Sequence, residues 1–147
     1  MEKDAKMLVA AAQKLKASGI KATPKRQIIL AYMMSTASHP TVEMIYQGLK
    51  QSEIRISLAT VYNTMQVLQE KKLVSAVAAD ATGHMHYDYV KTPHYHVICV
   101  RCGKIEDILD DSYQKLEVKA QKASHYQILS SQYEVFGLCP NCLAKEN

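Results

Sequence analysis

The sequence predicts an α+β fold in two small lobes, helices first and then a short sheet with one helix. Three observations carry this. Apolar residues recur at helical spacing through the first half, and the pattern switches to short β-prone runs after Leu73. All four cysteines fall in the last third, as two Cys-x-x-Cys pairs.

Leu8, Ala11, Ala12 and Leu15 share one face of a first helix, which Ser18-Gly19 ends because glycine accepts the left-handed conformation of a helix stop. Thr23-Pro24 opens a second helix, a capping hydroxyl followed by a proline whose missing N–H had no partner to lose. Ile28, Ile29, Tyr32 and Met33 form its apolar face. His39-Pro40-Thr41 breaks the chain and starts a third helix with Val42, Ile45, Tyr46 and Leu49 at core spacing. Ser57 caps a fourth, in which Leu58, Val61, Met65 and Leu68 point one way and Lys71-Lys72 meet the negative end of the helix dipole.

Two β-prone runs follow, Leu73 to Ala79 and His84 to Val90, separated by the turn-forming Asp80-Ala81-Thr82-Gly83. Helices closed by a hairpin are the parts of a winged helix, in which Ser57 to Glu70 is the helix offered to a DNA major groove. From Thr92-Pro93 a linker is expected, then strands at His94 to Val100 and Ile105 to Leu109, a helix from Asp110 to Ala123, and a strand from Tyr126 to Phe136. A lobe of roughly 55 residues buries too little apolar surface to be comfortably stable alone, so it needs a metal, a disulfide or a partner chain.

A length of 147 residues allows one ordinary domain or two small ones and excludes a large multidomain enzyme. Hydrophobic residues at 48% and charged residues at 22% are ordinary globular values and argue against wholesale disorder. Residues 1 to 75 carry 11 basic against 5 acidic groups, whereas residues 76 to 147 carry 7 against 9, so a polyanion contact is expected of the first half alone. The apolar run from Met7 stops at Gln13 and Lys14, far short of the roughly 18 to 20 residues that span a bilayer. It is also too short for the apolar region of an export signal. No membrane association and a cytoplasmic location are therefore expected.

The pairs Cys99-Val-Arg-Cys102 and Cys139-Pro-Asn-Cys142 are the strongest signal in the chain. Each spacing lets two thiolates face one ion, and four thiolates complete a tetrahedral Zn²⁺ shell with no open position for substrate, so the expected role is structural. The 36 intervening residues exceed the spacer of a zinc ribbon but can hold a strand-helix-strand unit. Two alternatives remain, thiol redox chemistry and a pair of disulfides. The absence of an export signal weighs against the disulfides, because cytosolic thiols are kept reduced.

Four of the six histidines lie between His84 and His96. Alternate residues of a strand share a face, so His94 and His96 project together, as do His84, His86 and Asp88. With Asp107 just beyond the first cysteine pair they form a mixed N/O set, harder than the sulfur site and suited to Fe²⁺, Mn²⁺ or Zn²⁺. His39 in its Ser-His-Pro turn has no role that residue chemistry alone assigns.

The segments Gly19 to Arg26, His39-Pro40, Ser57 to Asn63, His94-Tyr-His96, Cys99 to Asp107 and Cys139 to Cys142 together resemble the ferric uptake regulator family of bacterial metal-dependent transcription regulators, over nearly the whole chain. The peroxide-sensing branch is the most similar, since Asp88 and Asp107 are aspartates where the iron-sensing branch usually has glutamate. The resemblance implies a homodimer, with a winged helix-turn-helix DNA-binding domain over residues 1–90. A small α/β dimerisation and metal-binding domain over 91–147 would hold structural Zn²⁺ on the four cysteines. It implies a regulatory Fe²⁺ or Mn²⁺ on His39, Asp88, His94, His96 and Asp107, drawn from both domains so that the ion fixes their relative angle. In that branch bound Fe²⁺ reacts with hydrogen peroxide and a histidine ligand, at the positions of His39 or His94, is oxidised. Lys21, Arg26, Ser57, Thr60, Tyr62 and Asn63 are the expected contacts to a double-stranded operator.

Three departures stand out. His86 occupies a place where arginine is usual, on the face of Asp88, so it is a candidate to replace or add to a ligand. His84 and His125 match no family ligand, and the loop Lys50 to Ile56 lacks the usual proline.

The expected function is a non-enzymatic repressor of oxidative-stress and metal-homeostasis genes. An iron-responsive uptake repressor is the alternative within the family. A small metallohydrolase is the alternative outside it, although no separate general base of the His-Glu-x-x-His kind is present. A thiol oxidoreductase would need a helix N-terminus beside the first cysteine, whereas both pairs are expected to follow strands.

Overall fold

The computed structural model describes residues 2–77, 82–90, 94–129 and 131–145. The chain divides into two compact units, Met1–Val90 and Lys91–Asn147.

The first unit runs α1 (Glu2–Ala17), α2 (Pro24–Ser35), α3 (Val42–Gln51) and α4 (Leu58–Glu70), then β1 (Val74–Val77) and β2 (His86–Tyr89). The last three helices start on side-chain caps. Thr23 Oγ1 accepts from Arg26 N at 3.3 Å, Thr41 Oγ1 from Met44 N at 3.1 Å, and Ser57 Oγ from Thr60 N at 3.1 Å. Such a cap stabilises a helix by about 1 kcal/mol. Between α3 and α4 the missing proline is replaced by a left-handed turn, with Glu53 at φ 62° and Ile54 N donating to Leu49 O at 3.0 Å. Lys71 caps α4 and Lys72 lies beyond it at φ 60°, so neither lysine is within the last turn.

Leu15, Ile29, Leu30, Ile45, Met65 and Leu68 are fully buried, and Val74 of the hairpin closes over them. Leu58, expected on the inward face, is 38% exposed because the buried face of α4 begins only at Val61. The hairpin pairs antiparallel, Val74 opposite Tyr89 and Ser75 opposite Asp88. Its second strand starts at His86 rather than His84. Of the expected turn, Asp80 and Ala81 lie outside the described residues, and Gly83 at φ 85° supplies the positive dihedral that favours glycine.

The linker expected at Thr92-Pro93 also lies outside the described residues. The second unit contains β3 (His94–Cys99), β4 (Ile105–Leu109), α5 (Ser112–Ser124), β5 (Glu134–Gly137) and α6 (Pro140–Lys145). Strand order is β4-β3-β5, with β4 antiparallel and β5 parallel to β3. The last strand starts at Glu134 and not at Tyr126, its ladder with β3 running from His96 opposite Glu134 to Cys99 opposite Gly137. A short helix was not expected at the second cysteine pair, but Pro140 occupies its first position, where its fixed φ suits a helix start.

Among the described apolar residues of this unit only Ile98, Cys99 and Cys142 are buried, and α5 has no buried residue. Leu109, Leu116, Val118 and Phe136 are all more than half exposed. No helix of the described residues is long and apolar enough to cross a membrane.

Candidate metal centres and nucleic-acid interface

The four cysteines converge, with all four sulfurs within 4.8 Å of one another. Cys99 and Cys142 Sγ are 3.7 Å apart, as are Cys102 and Cys139, well beyond the roughly 2.05 Å of a disulfide. All four are free thiols. Two turns aim the backbone inward: Cys99 Sγ accepts from Cys102 N at 3.5 Å and Cys139 N at 3.4 Å. Gly103, at φ 79°, donates to Cys99 O at 2.9 Å and closes the first turn with a dihedral that a side chain would resist.

These N–H groups stabilise a thiolate and bring the Cys99 thiol down to about 5. The Cys142 N–H likewise lowers Cys139. Cys142 itself is pushed up to about 12, chiefly because Cys139 and then burial favour its neutral form. Four converging sulfurs with N–H donors turned towards them are the donor set of a tetrahedral Zn²⁺ site.

In the first unit His39 is buried and left-handed at φ 52°, an uncommon conformation for a residue with a side chain. The hairpin clamps it. His86 Nδ1 lies 2.6 Å from His39 O, and because a carbonyl only accepts, Nδ1 is the donor. Tyr87 N donates to Pro40 O at 3.0 Å. Asp88 follows on the same strand, and its carboxylate and the His39 ring offer ligand atoms within 4.8 Å of each other. His86 thus spends one ring nitrogen on the turn that carries His39.

In the second unit His96 and Asp107 are cross-strand partners, His96 Nε2 lying 3.3 Å from Asp107 Oδ1. The His94 and His96 rings meet edge to face at 4.9 Å, so both project from one face of β3 as strand alternation requires. A buried and a half-buried imidazole beside an exposed carboxylate form a mixed N/O donor set that suits a first-row cation such as Fe²⁺ or Mn²⁺.

Along α4 the exposed positions are Leu58, Ala59, Tyr62, Asn63, Gln66, Gln69 and Glu70, on the side opposite the buried Val61, Thr64, Met65 and Leu68. Tyr62 and Asn63 are thus presented outward. Ser57 and Thr60 are committed to the helix start, their hydroxyls 2.8 Å apart. Lys21 is exposed, and Arg26 Nη1 donates to Lys21 O at 3.1 Å, tying the two expected contacts together. The Tyr62 hydroxyl donates to Glu43 Oε1 at 2.6 Å, and this bond holds the Glu43 carboxyl below its usual range. Sequence reasoning passed over Glu43, which is 19 residues from Tyr62 and carries no local signal of that pairing.

The sequence matches the profile of the Ferric uptake regulator family over residues 17–136. It is 36% identical over 138 residues to the Peroxide operon regulator of Bacillus subtilis, covering 93% of this chain and 94% of that protein. It is 34% identical over 134 residues to the Peroxide-responsive repressor PerR of Staphylococcus epidermidis, covering 90% and 88%. The fold is similar to that of the ferric uptake regulator from Pseudomonas aeruginosa solved with manganese, with a TM-score of 0.72, 22% identity, and coverage of 88% of this chain and 98% of that one.

Proposed function

This chain belongs to the ferric uptake regulator family, and on that premise we propose that it is a metal-dependent, DNA-binding transcriptional repressor that senses hydrogen peroxide. The observation that carries the reading is the pair of half-sites. His39 and Asp88 stand together in the first unit, and His94, His96 and Asp107 in the second. The five residues are proposed to hold one regulatory Fe²⁺ or Mn²⁺. An ion that needs ligands from both units binds more tightly to one domain arrangement than to others and so shifts the population towards it.

Zn²⁺ on Cys99, Cys102, Cys139 and Cys142 is proposed as structural. Bound there, it would supply on the order of 10 kcal/mol to a unit with almost no apolar core. The exposed apolar side chains of β4, β5 and α5 favour a second copy of this chain as their cover, giving a homodimer with two reading helices. Residues 1–90 are proposed as the DNA-binding domain, with Lys21, Arg26, Ser57, Thr60, Tyr62 and Asn63 at the operator. Residues 91–147 are proposed as the dimerisation domain. The reading is of a cytoplasmic regulator and not an enzyme.

When bound, Fe²⁺ supplies the redox chemistry by which hydrogen peroxide delivers one oxygen atom to an imidazole and leaves as water. The residues of this chain set the consequence. His39 sits on a clamped, left-handed turn and His94 at the start of β3, so altering either ring removes a ligand from one half-site. The test is operator binding with Fe²⁺ and with Mn²⁺, before and after peroxide. The reading expects only the Fe²⁺ form to let go. Release of both forms, or of neither, contradicts it.

A further inference from the structure

Glu43 lies outside every site assigned from sequence, yet its carboxylate joins α3 to α4 and lies within electrostatic reach of the hairpin. The Tyr62 hydroxyl donates to it at 2.6 Å. His84 and Tyr87 are close enough to interact with its charge. Glu43 stands in the first turn of α3, where the positive end of the helix dipole favours a negative group.

An ionised carboxylate has lone pairs and no proton, so the shared proton belongs to Tyr62 and that hydroxyl has no second one to give. What Tyr62 Oη still offers is acceptor capacity. Tyr62 is 47% exposed on the outward stripe of α4, so this acceptor faces whatever the helix meets.

We propose that Glu43 is a positioning and specificity-determining residue for DNA: by accepting the Tyr62 hydroxyl hydrogen bond it fixes the phenol ring and makes Tyr62 an acceptor-only reader of base edges. In the major groove the donors are the exocyclic amines, adenine N6 and cytosine N4, whereas guanine O6 and N7 and thymine O4 accept. Tyr62 then selects an amine and rejects a guanine or thymine acceptor. An A·T pair also places a thymine methyl beside the adenine amine, a surface for the ring. The inference rests on the reading of α4 as the DNA-reading helix.

The test uses the full-length, Mn²⁺-loaded protein and a pool of duplexes of randomised sequence, comparing wild type with Glu43→Ala, Glu43→Gln, Tyr62→Phe and the double variant Glu43→Ala with Tyr62→Phe. Single-base variants of the selected duplex are then titrated. Wild type should prefer adenine or cytosine at one position of each half-site, and Tyr62→Phe should lose that preference by roughly five- to tenfold. Glu43→Ala frees the hydroxyl to donate, so it should admit guanine or thymine at the same position. The double variant should lose no more than Tyr62→Phe alone, and Glu43→Gln, which keeps an acceptor, should retain the preference. Because Glu43→Ala also removes a negative charge and strengthens binding to all duplexes, the ratio between bases is the readout.

A preference left intact in Glu43→Ala, or a loss that adds to that of Tyr62→Phe, overturns the inference while leaving α4 as the reading helix. Wild-type binding with no base preference overturns that reading and the inference together. A base analogue lacking the exocyclic amine at the selected position provides a check that needs no Glu43 variant. Wild type should bind it more weakly and Tyr62→Phe should not, and an indifferent wild type overturns the acceptor assignment.

Discussion

His96 and Asp107 face each other across β3 and β4, with Nε2 3.3 Å from Oδ1. The pair brings an imidazole and a carboxylate together in a unit with almost no apolar core, at a depth where His96 is buried and Asp107 exposed. Replacing Asp107 by Asn preserves shape and hydrogen bonding but removes the charge that attracts a cation. Mn²⁺ affinity, followed by the disappearance of the free-ion resonance on titration, should fall by roughly tenfold or more. Zinc content should not change. An unaltered Mn²⁺ affinity would take Asp107 out of the ligand set.

Cys139 both supplies a sulfur and, through its N–H, contacts Cys99 Sγ at 3.4 Å. Cys139→Ser should lose zinc and the dimer together, because the ion joins the last strand and helix to the first cysteine turn. Metal analysis and sedimentation check this. A zinc-free variant that stays a stable dimer contradicts the structural role.

The cysteine cluster also predicts a pH dependence. Near neutrality Cys99, at about 5, is already a thiolate, whereas Cys142, at about 12, is still a thiol. A cation binding all four must expel the Cys142 proton, so zinc affinity rises with pH and weakens on acidification, roughly tenfold per pH unit for each proton expelled. Calorimetry of zinc binding to the zinc-free protein, in buffers of different ionisation heat, counts the protons released. At least one is expected at neutral pH, and none would mean that Cys142 is not a ligand.

On the DNA side two residues should differ in kind. Tyr62→Ala should cost discrimination between operator and unrelated duplex, by roughly five- to a hundredfold. Lys21→Ala should weaken binding to all sequences and reduce the salt slope by about one counterion. Titrations at several salt concentrations separate the two. Unchanged operator selectivity in Tyr62→Ala would mean that α4 is not in the major groove.

What the sequence made legible was local. Thr23 and Ser57 announced their helices because a cap acts within three residues, and the cysteine pairs announced a tetrahedral site because each spacing is itself the geometry. Strand alternation likewise placed His94 and His96 on one face. Features set by tertiary pairing were hidden. The start of β5 is set by its pairing with β3, and the Glu43–Tyr62 and His86–His39 contacts span 19 and 47 residues. His86 drew notice as a possible ligand from its place on the strand. Its Nδ1 bond to the His39 carbonyl became visible only when the hairpin was folded against the turn.

The central claim is that, with iron bound, hydrogen peroxide oxidises a histidine ligand of this chain, the peroxide leaving as water. Its most direct test is peptide mass spectrometry of the protein loaded with Fe²⁺ or with Mn²⁺ and exposed to peroxide. The account predicts one added oxygen on a peptide containing His39 or His94 in the Fe²⁺ form, absent from the Mn²⁺ form. Unmodified peptides in the Fe²⁺ form, with operator binding retained, would contradict it.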